Sequence, residues 1–309
     1  MKELLAIKSD FNRIDEWAEA FADMDIEICL WDEIDDPSTI DYALVWVPEA
    51  GALHRFENLK IIFSIGAGLD HLMGPGVLPP NIPVVRMVED TLTAGMVEYV
   101  LYNVLRFHRF MPEYEKNHRR KSWDAILQIP AEQRTVGILG LGVLGQACAR
   151  VIADLGFNVV GWSRTEKHLD RITSTFGDEQ LDEFLAKSEI LVCLLPLTRQ
   201  TRGIINQRTL SKLPNGAYLI NAGRGGHQIE VDILSALESG QLAGAALDVF
   251  EVEPLPVHSP LWTHANVTIT PHVASMTTPF SSAKHVYENI QRFRRSEPLT
   301  HLADMEKGY

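Results

Sequence analysis

In the second half of this 309-residue chain, three ionisable side chains stand beside glycines or prolines where apolar runs give way to loops. Arg224 lies in Asn221-Ala-Gly-Arg-Gly-Gly226, Glu253 in Asp248-Val-Phe-Glu-Val-Glu-Pro254 and His272 in Thr270-Pro-His272. A guanidinium can hold a carboxylate through two charge-assisted hydrogen bonds and polarise a neighbouring carbonyl. An imidazole can donate a proton to an oxygen that is becoming an alkoxide. A carboxylate beside that imidazole favours its protonated form. Together these three types can carry the reduction of a carbonyl. Each also has a plainer reading. Arg224 can cap a glycine turn, His272 can be a structural hydrogen-bonder, and Glu253 can be a solvated loop acid, with Glu251 competing for its role.

Such a reduction needs a hydride source, and the stretch Thr135–Gln146 supplies a candidate. Val136–Leu139 reads as a buried strand, followed by Gly140, Gly142 and Gly145 as G-x-G-x-x-G, and then by a helix over Gln146–Leu155 that Gly156 ends. The first glycine allows the tight turn, the second lets backbone approach a pyrophosphate, and the third lets helix pack on strand. The helix start, with Val143 and Leu144, offers unpaired N–H groups to phosphate. A second strand follows, so the pattern reads as a dinucleotide site. That strand ends Gly161-Trp-Ser-Arg-Thr165, with no acid for a ribose hydroxyl. Ser163 can donate to a 2′-phosphate and Arg164 can pair with it, with Lys167 assisting. The expectation is NADP(H), with NAD(H) weaker; an exposed arginine on a turn is the alternative.

Other elements must position these residues. Leu4–Ile7, Ile26–Leu30, Ala43–Val47, Lys60–Ile65 and Val84–Arg86 read as strands, and Glu16–Ala22 as helical. This is a small α/β unit with its own core. The apolar spacing predicts a helix over Thr93–Arg109 with Thr93 as N-cap, ending near Pro112. The charge-rich stretch Glu113–Ile129 reads as a connector and arm carrying Trp123. Val136–Leu139, Asn158–Trp162, Ile190–Leu194, Ala217–Ile220, Ala243–Leu247 and Val267–Thr270 then alternate with helical patterns, which implies a parallel sheet. A last helix covers about Pro279–Arg294 and is long enough to return to the first domain. The unusual residues fall just past the carboxyl ends of the strands: Gly140, Ser163-Arg164, Pro196, Asn221–Arg224, Asp248 and Pro271-His272. Open parallel sheets bind ligands at that edge.

In order and spacing, these segments resemble the D-isomer-specific 2-hydroxyacid dehydrogenase family. The matching stretches are Gly140–Gly145, Leu194-Leu-Pro-Leu-Thr198 with Thr201, Asn221–Gly226, Ala246–Phe250 with Glu253-Pro254, and Thr270–His272. Ala43–Trp46, Phe63–Asp70 and Trp162–Arg164 are similar to the NADPH-dependent glyoxylate/hydroxypyruvate reductase A branch. The resemblance implies an α/β protein of two domains: a Rossmann-type doubly wound parallel sheet at 99–277, and a smaller, discontinuous flavodoxin-like substrate domain at 1–98 and 278–309. It implies the catalytic set Arg224, Glu253 and His272, with Asp248 near the nicotinamide amide and Leu195, Pro196, Thr201, Ala222 and Gly223 along the cofactor. Gly223 stands where many members carry a side chain, which is expected to leave that backbone looser.

The loop Gly66-Ala67-Gly68 can receive a substrate carboxylate as an anion nest, or be an ordinary strand-to-helix turn. Trp46 can wall a small pocket, or pack in the core. Substrate contacts are thus expected from Trp46, Gly66, Ala67, Gly68, Arg224 and His272. The implied reaction is NADPH-dependent reduction of a small 2-oxoacid, glyoxylate to glycolate or hydroxypyruvate to glycerate, with no metal because Arg224 and His272 stabilise the oxyanion. The alternatives are another member of the family, of D-lactate or D-3-phosphoglycerate type, and a nicotinamide-sensing binding protein without turnover. A homodimer is implied, with the Thr93–Arg109 helix and the following arm as its surface.

Composition, 46% hydrophobic and 22% charged, is ordinary for a soluble globular protein. The net charge of −13 argues against nucleic acid or an anionic membrane as partner, and requires a local positive site for any anionic substrate. No run reaches membrane-spanning length and Met1–Lys8 lacks the apolar core of a signal peptide. Cys29, Cys148 and Cys193 are isolated, as expected for buried thiols in a reducing cytoplasm.

Overall fold

A computed structural model describes residues 2–9 and 14–305. Met1 and the 306–309 end, which belong to the expected first domain and its flanks, lie outside the described residues, as do residues 10–13. The chain forms two compact units, Met1–Leu92 with Met276–Tyr309 and Thr93–Ser275.

The first unit contains strands β1 (Leu4–Lys8), β2 (Glu27–Leu30), β3 (Ile40–Val45), β4 (Ile61–Ser64) and β5 (Val84–Val85), with helix α1 (Ile14–Phe21) between β1 and β2. All are parallel, in the order β2-β1-β3-β4-β5. This is the flavodoxin-like 2-1-3-4-5 arrangement. A parallel sheet covered on both faces needs continuous apolar runs, and β4 (Ile-Ile-Phe-Ser) is buried throughout. Trp17 and Phe21 of α1 join Ala283, Val286 and Ile290 in one core cluster, while Leu53, Phe56 and Leu72 belong to another. Beyond β5, Val85 pairs antiparallel with Leu302.

Helix α2 (Asp90–His108) begins in this unit and crosses the division between Leu92 and Thr93. Its cap is not Thr93. Glu89 accepts hydrogen bonds from the N–H groups of Thr91 (2.6 Å) and Leu92 (2.7 Å), so an acid three residues upstream captures the free donors and the helix starts a turn earlier than expected. Part of the expected connector is also helical: α3 spans Met111–Arg120. Pro112 stands in its first turn and His118, Arg119 and Arg120 in its last, which matches the helix dipole; Pro112 therefore opens a helix as well as following one.

The second unit continues with β6 (Thr135–Leu139), α4 (Val143–Asp154), β7 (Asn158–Ser163), β8 (Thr173–Phe176), α5 (Leu181–Lys187), β9 (Ile190–Cys193), α6 (Gln207–Leu210), β10 (Ala217–Asn221), α7 (Glu230–Glu238), β11 (Leu242–Leu247) and β12 (Val267–Ile269). The remaining helix, α8 (Pro279–Arg294), belongs to the first unit. The seven parallel strands run β12-β11-β10-β9-β6-β7-β8, which is the Rossmann order 3-2-1-4-5-6 with one strand added. The order reverses between β6 and β9. Strand β8 was not expected, because Thr-Ser-Thr-Phe at a sheet edge has no apolar run to mark it.

The turn from β6 to α4 is sterically closed. Gly140 has φ +105°, and a Cβ there would stand 2.7 Å from the Leu194 carbonyl oxygen. A Cβ on Gly145 would stand 1.7 Å from the Gly140 carbonyl oxygen, so α4 packs directly on the turn. At Gly142 a Cβ would meet nothing within 4 Å. Gly145→Ala should therefore lower stability by about 1–3 kcal/mol through overpacking, while Gly142→Ala should change it by less than about 1 kcal/mol. Urea unfolding of both variants checks this, and equal midpoints would contradict the packing argument.

Candidate active site

Six of the seven strands, all but the edge strand β8, deliver the singled-out residues to the same edge of the sheet. Gly140 follows β6, Arg164 follows β7, Leu194–Pro196 follow β9, Ala222–Arg224 follow β10, Asp248 follows β11, and His272 comes three residues after β12. Parallel strands all point the same way, so this convergence is a consequence of topology.

His272 and Glu253 meet. The His272 Nδ1 lies 2.8 Å from Glu253 Oε2, and Glu253 Oε1 accepts the Phe250 N–H at 2.9 Å. Burial works against ionisation of Glu253 most strongly. The hydrogen bonds from His272 and Phe250, with the charges of His272 and Arg224, outweigh it and hold the carboxyl below its ordinary value. An ionised carboxylate only accepts, so Nδ1 carries the proton and Nε2 is the nitrogen left for chemistry. Glu251, the competing acid, instead reaches Arg202 at 3.3 Å.

The His272 backbone is itself held. Its φ is +55°, a left-handed conformation that histidine adopts more readily than most residues. Its N–H donates to the Asp248 carbonyl (2.8 Å). The buried Asp248 carboxylate accepts from Thr270 Oγ1 (2.6 Å), Val273 N–H (2.9 Å) and Ala274 N–H (2.9 Å). Tyr99 Oη adds a contact to Thr270 Oγ1 at 2.8 Å. The Asp248 side chain thus braces the segment that carries His272.

Arg224 lies in the turn after β10, partly exposed, with Nη1 donating to the Gly223 carbonyl at 2.9 Å. The backbone here is not loose. A Cβ on Gly223 would stand 3.0 Å from His227 Nδ1 and 3.1 Å from its ring carbon, so the expected slack is filled by a buried imidazole. His227, Gln228 and Asn221 form a polar cluster beneath Arg224, which periodicity could not reveal because buried polar contacts leave no repeating signature.

The glycine turn suits a dinucleotide. Gly142 is the N-cap of α4 and contributes no side-chain acceptor, so the first N–H groups, at Val143 and Leu144, receive no side-chain cap from it, and the space around Gly142 is open. Thr201 Oγ1 donates to the Pro196 carbonyl (2.7 Å) and tightens the 196–201 loop; Leu195 and Ala222 are buried behind it. At the end of β7, Arg164 is exposed and Lys167 half-buried. Ser163 is turned inward and donates to the Thr165 carbonyl at 2.8 Å, so its proton is already committed and the cations dominate that turn.

In the first unit, Trp46 follows β3 and packs against His71 in a tilted arrangement, with ring centroids 4.4 Å apart. A Cβ on Gly66 would stand 2.6 Å from the Trp46 ring. Ser64 Oγ donates to the Gly66 carbonyl (2.8 Å), and Gly66, Ala67 and Gly68 are half-buried. Of the cysteines, Cys148 and Cys193 are buried, with thiols pushed up to about 12 by that burial, while Cys29 is partly exposed. Among the described residues no group of His, Cys, Asp and Glu could hold a metal, and no helix is long and apolar enough to cross a membrane.

Residues 101–274 match the pattern of the D-isomer specific 2-hydroxyacid dehydrogenase, NAD binding domain. A glyoxylate/hydroxypyruvate reductase A from Yersinia enterocolitica is 42% identical over 279 residues, covering 89% of each chain. Two solved structures superimpose over the whole of both chains. One, a D-isomer specific 2-hydroxyacid dehydrogenase from Xanthobacter autotrophicus in complex with NADPH and MES, has a TM-score of 0.96 at 41% identity. The other, an NADPH-dependent glyoxylate/hydroxypyruvate reductase from Sinorhizobium meliloti in complex with NADP and sulfate, has a TM-score of 0.94 at 40% identity. With its seven-stranded Rossmann sheet and this breadth of similarity, the chain belongs to the D-isomer specific 2-hydroxyacid dehydrogenase family.

Proposed function

We propose that this protein reduces glyoxylate and hydroxypyruvate to the corresponding 2-hydroxyacids with NADPH. The observation that carries the reading is the Glu253–His272 pair at the sheet edge that also holds Arg224 and the glycine turn. Relatives bearing this activity in their names share about 40% of their residues with this chain.

When bound, NADPH supplies the hydride that reaches C2 of the oxoacid. Gly140, Gly142, Val143, Leu144 and Gly145 would hold its pyrophosphate, and Arg164 and Lys167 its 2′-phosphate. Arg224 pairs with the substrate carboxylate and polarises the adjacent carbonyl. His272 Nε2 delivers a proton to the carbonyl oxygen as negative charge develops there, and Glu253 favours the protonated imidazole through Nδ1. Asp248 keeps His272 in place. Trp46 and the Gly66–Gly68 loop belong to the proposal as substrate-binding elements.

The reading extends to a homodimer. Tyr102 and Leu105 of α2, Met111 of α3, and Trp123 and Leu127 of the arm are exposed apolar side chains. Apolar exposure on this scale is typical of an association surface. It extends also to the cytoplasm, where three unpaired cysteines are at home.

Falling NADPH absorbance on addition of glyoxylate or hydroxypyruvate tests the activity. His272→Ala should slow turnover by on the order of a hundredfold or more; near-normal turnover would remove His272 from the mechanism. Arg164→Ala should raise the Michaelis constant for NADPH by about tenfold or more, the scale of a charge-assisted hydrogen bond, and leave that for NADH nearly unchanged. Equal effects on both would defeat the 2′-phosphate assignment. Light scattering should give the mass of two chains, and Trp123→Asp with Leu127→Asp should shift it toward one; an unchanged mass would place the interface elsewhere.

A further inference from the structure

The geometry points to His227 as a positioning residue for Arg224, acting through the Arg224 backbone amide, with its ring in tight contact with the place a Cβ on Gly223 would take. This rests on the reading of Arg224 as the group that pairs with the substrate carboxylate.

His227 is fully buried, two residues beyond the sheet-edge glycine Gly225. Its Nδ1 accepts the Arg224 N–H at 3.0 Å, and its own N–H donates to the Arg224 carbonyl at 3.1 Å. The same carbonyl accepts Asn221 Nδ2 at 3.2 Å, and Asn221 Oδ1 accepts the Gly223 N–H at 3.1 Å. Both peptide groups flanking the Arg224 Cα are thus held, and the guanidinium is referred back to the same turn through its bond to the Gly223 carbonyl. The network continues: Asn221 Nδ2 donates to Gln228 Oε1 (2.8 Å), and Gln228 Nε2 donates to the Val249 carbonyl (3.0 Å). Val249 precedes Phe250, whose N–H binds Glu253. One buried polar chain therefore ties the turn of Arg224 to the turn of Glu253.

An imidazole nitrogen that accepts an N–H carries no proton, so His227 is neutral with its proton on Nε2. An apolar side chain of similar bulk would fill the ring's space and leave the Arg224 N–H unpaired in a buried setting. The turn would then relax, and the guanidinium with it. Misplacement by about 1 Å can cost on the order of a hundredfold in rate. A Cβ on Gly223 presses on the same ring, which is buried and hydrogen-bonded and so has little room to give.

Three variants test this. His227→Leu should raise the Michaelis constant for glyoxylate tenfold or more, lower kcat less, and leave the constant for NADPH unchanged. His227→Asn, whose side-chain oxygen can accept the same N–H, should recover much of that loss. Gly223→Ala should likewise raise the Michaelis constant for glyoxylate, and for that constant the two changes combined should be less than additive because they disturb one contact. Equal effects of His227→Leu and His227→Asn, or an unchanged glyoxylate constant in both, would overturn the proposal. Should His227→Leu fail to fold, the other two variants carry the comparison. Independently of turnover, nitrogen NMR of histidine-labelled wild-type protein, assigned with His227→Asn, should show His227 as the Nε2–H tautomer; an Nδ1–H tautomer or an imidazolium at neutral pH would overturn it. If wild-type protein oxidises no NADPH with any 2-oxoacid, the reductase reading falls, and the NMR result alone decides whether His227 braces Arg224.

Discussion

A buried carboxylate must have its hydrogen bonds made inside the protein, or its burial becomes prohibitive. Asp248 meets that demand by taking the Thr270 hydroxyl and the amides of Val273 and Ala274, which lie on either side of His272. The requirement runs both ways. The carboxylate needs those donors, and the 270–274 segment acquires one conformation, in which His272 adopts a left-handed backbone and its ring reaches Glu253. The His272–Glu253 geometry is thus secured from the end of β11, the strand beside its own.

Electrostatics acts on two scales. The chain carries a net charge of −13, which repels an anionic substrate from the molecule as a whole. Close to the sheet edge the balance differs: the hydrogen bonds from His272 and Phe250, reinforced by the charges of His272 and Arg224, hold the Glu253 carboxyl below its ordinary value against its burial. Attraction over a few ångströms in a partly desolvated site outweighs a screened field from distant carboxylates. The exposed Arg164 on the turn after β7 adds a second positive position on that edge.

Close packing explains the small residues at the site better than flexibility does. At Gly140 and Gly145 backbone oxygens occupy the space a Cβ needs, and at Gly223 an imidazole stands in tight contact with it. Gly142 differs, since nothing in the protein approaches it. Four glycines at one sheet edge therefore have three different surroundings: touching backbone, an adjoining side chain, and space left open.

Much was readable from local order. The strand–glycine–helix stretch and the apolar runs of both sheets depend on near neighbours and on period, so their places follow from residue type to within about three residues. What escaped has a common cause. Strand β8 is polar because it lies at an edge, α3 hides in a charged stretch marked only by Pro112 in its first turn and basic residues in its last, and α2 starts at Asp90 because the Glu89 carboxylate reaches forward to the free amides of Thr91 and Leu92. The amino-acid order by itself determined the alternation of strands and helices, the glycine turn and the supply of an arginine, two competing glutamates and a histidine past the strand ends. Only the tertiary structure decided that Glu253 rather than Glu251 meets His272, that Asp248 turns inward, and that His227 stands under Arg224. Those choices join residues far apart in the chain through single hydrogen bonds, and a single contact leaves no periodic trace in the order of residues.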